Sequence, residues 1–69
     1  MEIYVVNVIV KKEKYYLAGF DGTISRNIQD AIVFISKNAA YFNATLIEKM
    51  YGNEEILGRV ETLTFRELA

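Results

Sequence analysis

Residues 3–10 read Ile3-Tyr4-Val5-Val6-Asn7-Val8-Ile9-Val10, and the fold turns on this run. Most of these side chains branch at Cβ, which restricts them in a helix and suits them to a pleated surface, so the run predicts a strand. Alternation sets Tyr4, Val6, Val8 and Val10 on one face and Ile3, Val5, Asn7 and Ile9 on the other. Both faces are apolar except at Asn7. Such a strand is central in its sheet, or presents one face to a partner.

Outward from that strand, Lys11 to Lys14 forms a charged turn, read as a tight hairpin although it has no Gly or Asn, and Tyr15 to Phe20 a second strand. Tyr15, Leu17 and Gly19 take one side of it and Tyr16, Ala18 and Phe20 the other. Asp21-Gly22 is a turn signal, and Thr23 to Gln29 is a polar loop tethered by Ile24 and Ile28. Ala31-Ile32-Val33-Phe34 predicts a short third strand, because successive bulky residues lose rotamer freedom in a helix. Ser36 then offers an N-cap for a helix over 37–51, and Gly52 supplies a left-handed stop. At 100° per residue, Leu46, Ala39, Met50, Ile47 and Ala40 share an apolar arc flanked by Phe42 and Tyr51, with Asn43 inside it. Lys37, Glu48, Thr45, Asn38 and Lys49 lie opposite.

Asn53-Glu54-Glu55 links to a last strand within 56–66. Its Leu63 and Phe65 share a face with Arg59 and Glu61, while Val60, Thr62, Thr64 and Arg66 take the other. Two charged residues on one side suit an edge strand facing solvent. The expected architecture is one α+β domain over residues 1–69. It has a three- to four-stranded, mainly antiparallel sheet with one helix packed on it, in the order β-β-β-α-β.

The inventory narrows the chemistry. The 69 residues include no Cys, His, Trp or Pro, so a disulfide scaffold, a thiolate site and the commonest metal ligand and proton shuttle are excluded. At 52% hydrophobic and 25% charged, the chain is too apolar for intrinsic disorder. The net charge is −1, whereas a dedicated duplex binder needs a cationic face. The apolar run 3–10 is far below the roughly 20 residues that span a bilayer. It also lacks the flanks of a secretory signal. The expectation is a cytoplasmic protein, of the cell or of an infected host, that makes no use of a membrane.

Without His or Cys, acid–base work falls to carboxylates, Lys and Tyr. Asp21 and Asp30 flank the polar loop with Ser25 between them, which is the basis of one reading, a small metal-dependent hydrolase. No base is placed to activate Ser25 and no phosphate-cradling glycine loop occurs, so the leading expectation is no enzyme, no metal and no cofactor. The aromatics carry more. Phe20, Phe34, Phe42 and Phe65 are assigned to the core. The tyrosines Tyr4, Tyr15, Tyr16, Tyr41 and Tyr51 are candidate partner-binding residues, because a phenol hydroxyl seeks water or a partner. Tyr41 falls on the polar side of the helix, and Tyr15 and Tyr16 point to opposite faces of their strand.

A protein partner is the leading expectation, with a homodimer compatible. One helix about 22 Å long, at 1.5 Å per residue, covers one face of a small sheet, so the second apolar face of the first strand needs its own cover. The alternative is single-stranded nucleic acid, with Lys11, Lys12 and Lys14 meeting phosphates and Tyr15 and Tyr16 stacking bases.

Lys14-Tyr15-Tyr16-Leu17-Ala18-Gly19-Phe20, followed by Asp30-Ala31, Phe34, Ser36-Lys37 and Ala40, resembles a recurrent pattern in small early-region proteins of Gram-positive phages and prophages. The resemblance covers residues 14–40. It implies a protein that binds and blocks a host protein, such as a defence nuclease or a replication or transcription factor. It carries over no functional residue.

Overall fold

A computed structural model describes residues 1–52 and 55–64. The elements are β1 (Glu2–Val10), β2 (Glu13–Leu17), β3 (Ile24–Ser25), a 3-10 turn (Ile28–Asp30), α1 (Lys37–Tyr51) and β4 (Ile56–Thr64). The sheet runs β3-β2-β1-β4 with every neighbouring pair antiparallel, and α1 packs on one face. This is the α+β architecture expected, and of the two placements that β1's apolar faces allow, it takes the central one. The positions assigned to Asn53, Glu54, Phe65 and Arg66 lie outside the described residues.

β1 and β4 pair along their whole length, from Glu2 opposite Thr64 to Val10 opposite Ile56. β2 covers only half of the other edge, from Asn7 opposite Tyr16 to Val10 opposite Glu13. Between β1 and β2 the chain turns on Lys11 and Lys12 alone, with φ of 50° and 71°. Two consecutive left-handed residues match the twist of a two-residue hairpin, but Asn-Gly normally supplies them. Lysine carries a Cβ penalty there, and the tight turn therefore lacked its usual sequence signal.

The third strand differs from expectation. Pairing of β2 continues to Ile24–Ser25, whereas residues 31–34 form only a single bridge. Tyr4 and Phe34 exchange both backbone hydrogen bonds at 2.8 Å, and the Ile32 N–H donates to the Leu17 carbonyl at 2.9 Å. The cause lies in the preceding segment. Ile28 and Ala31 pack beneath the sheet against Ile3, Val5 and Leu63, so the chain reaches the sheet edge only at Phe34. Ile3 and Val5 are thereby 1% and 0% exposed. Half of the second face is sheltered by the chain itself.

Helix α1 begins and ends as its caps dictate. Ser36 Oγ accepts from the Ala39 N–H at 3.3 Å, and Gly52 stops the helix with a φ of 57°. Its buried face is another matter. Ala40, Ala44 and Ile47 are buried, while Phe42, Leu46 and Met50 are exposed. The helix is rotated by roughly 70° from the arc that hydropathy alone selects. Gly58 of β4 explains it. A Cβ there would lie 2.2 Å from the Ala44 carbonyl oxygen and 3.0 Å from Ile47 Cγ2. The small residues Ala40 and Ala44 let helix and strand backbones approach, and Phe42 or Leu46 in that position would hold them apart. Glu48 reinforces the docking, its Oε2 accepting from the Gly58 N–H at 2.8 Å.

Gly58→Ala therefore lowers stability by about 2 kcal/mol or more, despite the entropy that Ala removes from the unfolded chain. Urea unfolding checks this, and an unchanged or raised midpoint would contradict the docking geometry.

Candidate functional site

The outward flank of α1 carries Phe42, Leu46 and Met50, spaced four residues apart and so aligned along one stripe. They are 67%, 38% and 51% exposed. The loop after β2 lies along the same flank. Gly22 stands beside Met50 and Ile47, the Tyr51 hydroxyl donates to the Gly22 carbonyl at 3.1 Å, and Phe20 meets Phe34 edge-on with ring centroids 6.2 Å apart. Phe34 is buried, as expected, but Phe20 remains 70% exposed. Phe20 and Phe42, both assigned to the core from sequence, are thus surface residues. An aromatic side chain has about 150–250 Å² to bury, and Phe20 and Phe42 leave roughly two thirds of it outside. A stripe of this kind on so small a chain approaches the largest apolar patch of a typical soluble monomer.

The five tyrosines are not gathered on one surface. Tyr4 is half-buried on the helix-side face of β1. Tyr15 shares that face with the Arg26 guanidinium 4.9 Å from its ring centroid and 3.2 Å from its hydroxyl. Arg26 also pairs with Glu13. Tyr16 is on the far face, with Lys14 Nζ at 5.0 Å from its ring. Tyr41 is exposed on the polar side of α1 beside Lys37, and Tyr51 lies at the helix end against Gly22. Asn43, inside the apolar arc, donates to the Ala39 carbonyl at 2.8 Å, a bond within its own helix.

The three lysines are likewise divided. Lys11 and Lys12 form the hairpin tip and, with Ile9, Glu55 and Leu57, line an open cleft of about 480 Å³. Lys14 projects from the far face, 3.1 Å from Glu61 Oε1. Partial burial of Lys14 favours its neutral form, but hydrogen bonds to Glu61 and Tyr16 outweigh this and raise its pKa above the ordinary value. Asp21 and Asp30 serve local turns. Asp21 Oδ1 accepts from the Thr23 hydroxyl at 2.6 Å and its N–H at 3.1 Å, which holds the carboxyl below the usual range. Asp30 accepts from Ser25 Oγ at 2.7 Å, and Ser25 Oγ in turn accepts from the Asn27 N–H.

No protein-family model, curated protein or solved structure matches the chain. Among the described residues, no helix is long and apolar enough to cross a membrane. None of their Asp and Glu side chains gather in threes that could hold a metal ion.

The stripe was missed because hydropathy weighs residue size and ignores fit. The signal that could have found it is the pairing of Ala40 and Ala44 with the glycine in an otherwise β-forming strand. Exposure and burial are expected to separate sharply on substitution: Phe42→Ser changes stability by no more than about 0.5 kcal/mol, whereas Ile47→Ala costs about 2–5 kcal/mol. Thermal or urea unfolding of the two variants checks the order, and a large loss at Phe42 would contradict it.

Proposed function

We propose that this protein is a non-catalytic protein-binding module whose contact surface is the Phe42–Leu46–Met50 stripe, widened by Phe20. One observation carries the reading: three bulky apolar side chains stand outward on a helix whose inward face is already docked. An apolar stripe on a helix is a common means of entering a hydrophobic groove on a partner, with residues one turn apart as anchors. Met50 and the two phenylalanines are the residue types that interfaces favour. The engagement of Asp21 and Asp30 by Thr23 and Ser25 weighs toward a structural role for these carboxylates. The resemblance of residues 14–40 to small phage early-region proteins makes a host protein the partner, with the module acting as its inhibitor or modulator.

The nucleic-acid alternative rests on Lys11, Lys12 and Lys14. Lys14 is already committed to Glu61, and the two remaining lysines flank a cleft that also holds Glu55.

Tagged protein incubated with host lysate tests the proposal. Wild type captures a specific protein, Phe42→Asp and Leu46→Asp each reduce its recovery about tenfold or more, and Tyr41→Ser retains it. Equal capture by the helix variants, or recovery of nothing but further copies of the chain, would overturn the reading.

A further inference from the structure

β4 is an outer strand, and the direction of its backbone groups follows from the pairing. Tyr4 turns both its N–H and its C=O toward Phe34, so the odd residues of β1 turn theirs toward β4. Leu57, Arg59, Glu61 and Leu63 therefore take up the ladder with β1, and Gly58, Val60 and Thr62 point outward. The Gly58 N–H is held by Glu48. Among the described residues, nothing bonds the outward groups of Val60 and Thr62. An open strand edge is a template for another strand.

The side chains choose the partner. Leu57-Gly58-Arg59-Val60-Glu61-Thr62-Leu63 is nearly symmetric about Val60, with opposite charges at equal distances on either side. Arg59 is exposed and has no ion-pair partner among the described residues. Glu61 is half-buried and meets Lys14 Nζ through Oε1 at 3.1 Å.

We propose that two copies of this chain pair antiparallel through their β4 edges, with Val60 opposite Val60 of the second copy. In that register Arg59 of each copy lies opposite Glu61 of the other, at close pairs where facing side chains interact most strongly. Leu57 meets Leu63. The neighbouring symmetric registers, two residues away, set Arg59 against Arg59 or Glu61 against Glu61, so charge selects one alignment. The contact is isologous, closes as a dimer and joins two four-stranded sheets into one of eight, with both helices on the same face. Among the described residues, Glu48 holds the one outward group of this edge that is already bonded, the Gly58 N–H. On pairing, the Gly58 N–H passes from its carboxylate to the Thr62 carbonyl of the second copy.

The proposal does not depend on the binding role of the α1 stripe, and charge exchange separates the two. Sedimentation equilibrium over a dilution series is expected to show a dimer for wild type. Arg59→Glu weakens it about tenfold or more, because two attractive contacts become repulsive. The double exchange Arg59→Glu with Glu61→Arg restores it, and Phe42→Asp leaves it unchanged. Glu61→Arg also removes the Lys14 partner, so a spin label on Thr62→Cys gives an independent reading. The register places the two labelled Cα atoms roughly 15 Å apart, from a four-residue offset along the strand. The proposal is overturned by a wild type that stays monomeric to millimolar concentration. It is equally overturned by a dimer indifferent to Arg59→Glu but lost with Phe42→Asp, or by labels without a short separation.

Discussion

The close approach of Ala44 to Gly58 governs the rest of the molecule. Bringing a helix backbone against a strand requires that neither carry bulk at the crossing, and here an alanine faces a glycine whose Cβ would collide with the helix carbonyl. Once that contact is made, the rotation of α1 is fixed. Ala40 and Ile47 turn inward with Ala44, Glu48 reaches the Gly58 N–H, and the larger residues one third of a turn away face outward. The exposed stripe is thus a consequence of how the helix docks. In a chain of this size, a few buried contacts decide between stability and unfolding, and packing quality outweighs the amount of apolar surface removed from water.

The sheet shows a second constraint. β1 is apolar on both sides, and a single helix shelters one of them. The chain meets this by passing residues 26–31 beneath the sheet, with Ile28 and Ala31 against Ile3 and Val5. The other half of the far face, around Asn7 and Ile9, is left with charged neighbours: Lys14 on β2 and Arg59 on β4, with Glu61 reaching across to Lys14. Self-coverage at one end and charge at the other manage the same apolar strand. They also place Arg59 and Glu61 next to an open edge.

Much of this was legible in the sequence. The β-branched run 3–10 identified the central strand, Ser36 and Gly52 bounded the helix, and Arg59 with Glu61 marked an edge strand. Three features were not. A tight hairpin at Lys11 to Lys14 was legible, but not that it closes on two lysines at positive φ, where composition offers no Gly or Asn. Residues 31–34 have strand-like side chains, but the route of the preceding segment permits only one bridge, a long-range constraint with no local signature. The rotation of α1 depends on a residue in a different element, and a helical wheel contains no information about Gly58. The same blindness affects the contacts of the tyrosines. Alternation already set Tyr15 and Tyr16 on opposite faces and the helical wheel set Tyr41 on the polar side, whereas the partners of each ring, Arg26, Lys14 and the Gly22 carbonyl among them, are a property of the assembled fold.

The docking of α1 is the claim on which the exposed stripe and the capped edge both stand, and nuclear Overhauser contacts read it without any substitution. The account predicts strong cross-peaks between the Gly58 α-protons and the backbone and methyl protons of Ala44, together with Phe42 and Leu46 side chains lacking contacts to Val6 and Val8. Cross-peaks from Leu46 methyls to Val6 or Val8, with none between Ala44 and Gly58, would contradict it.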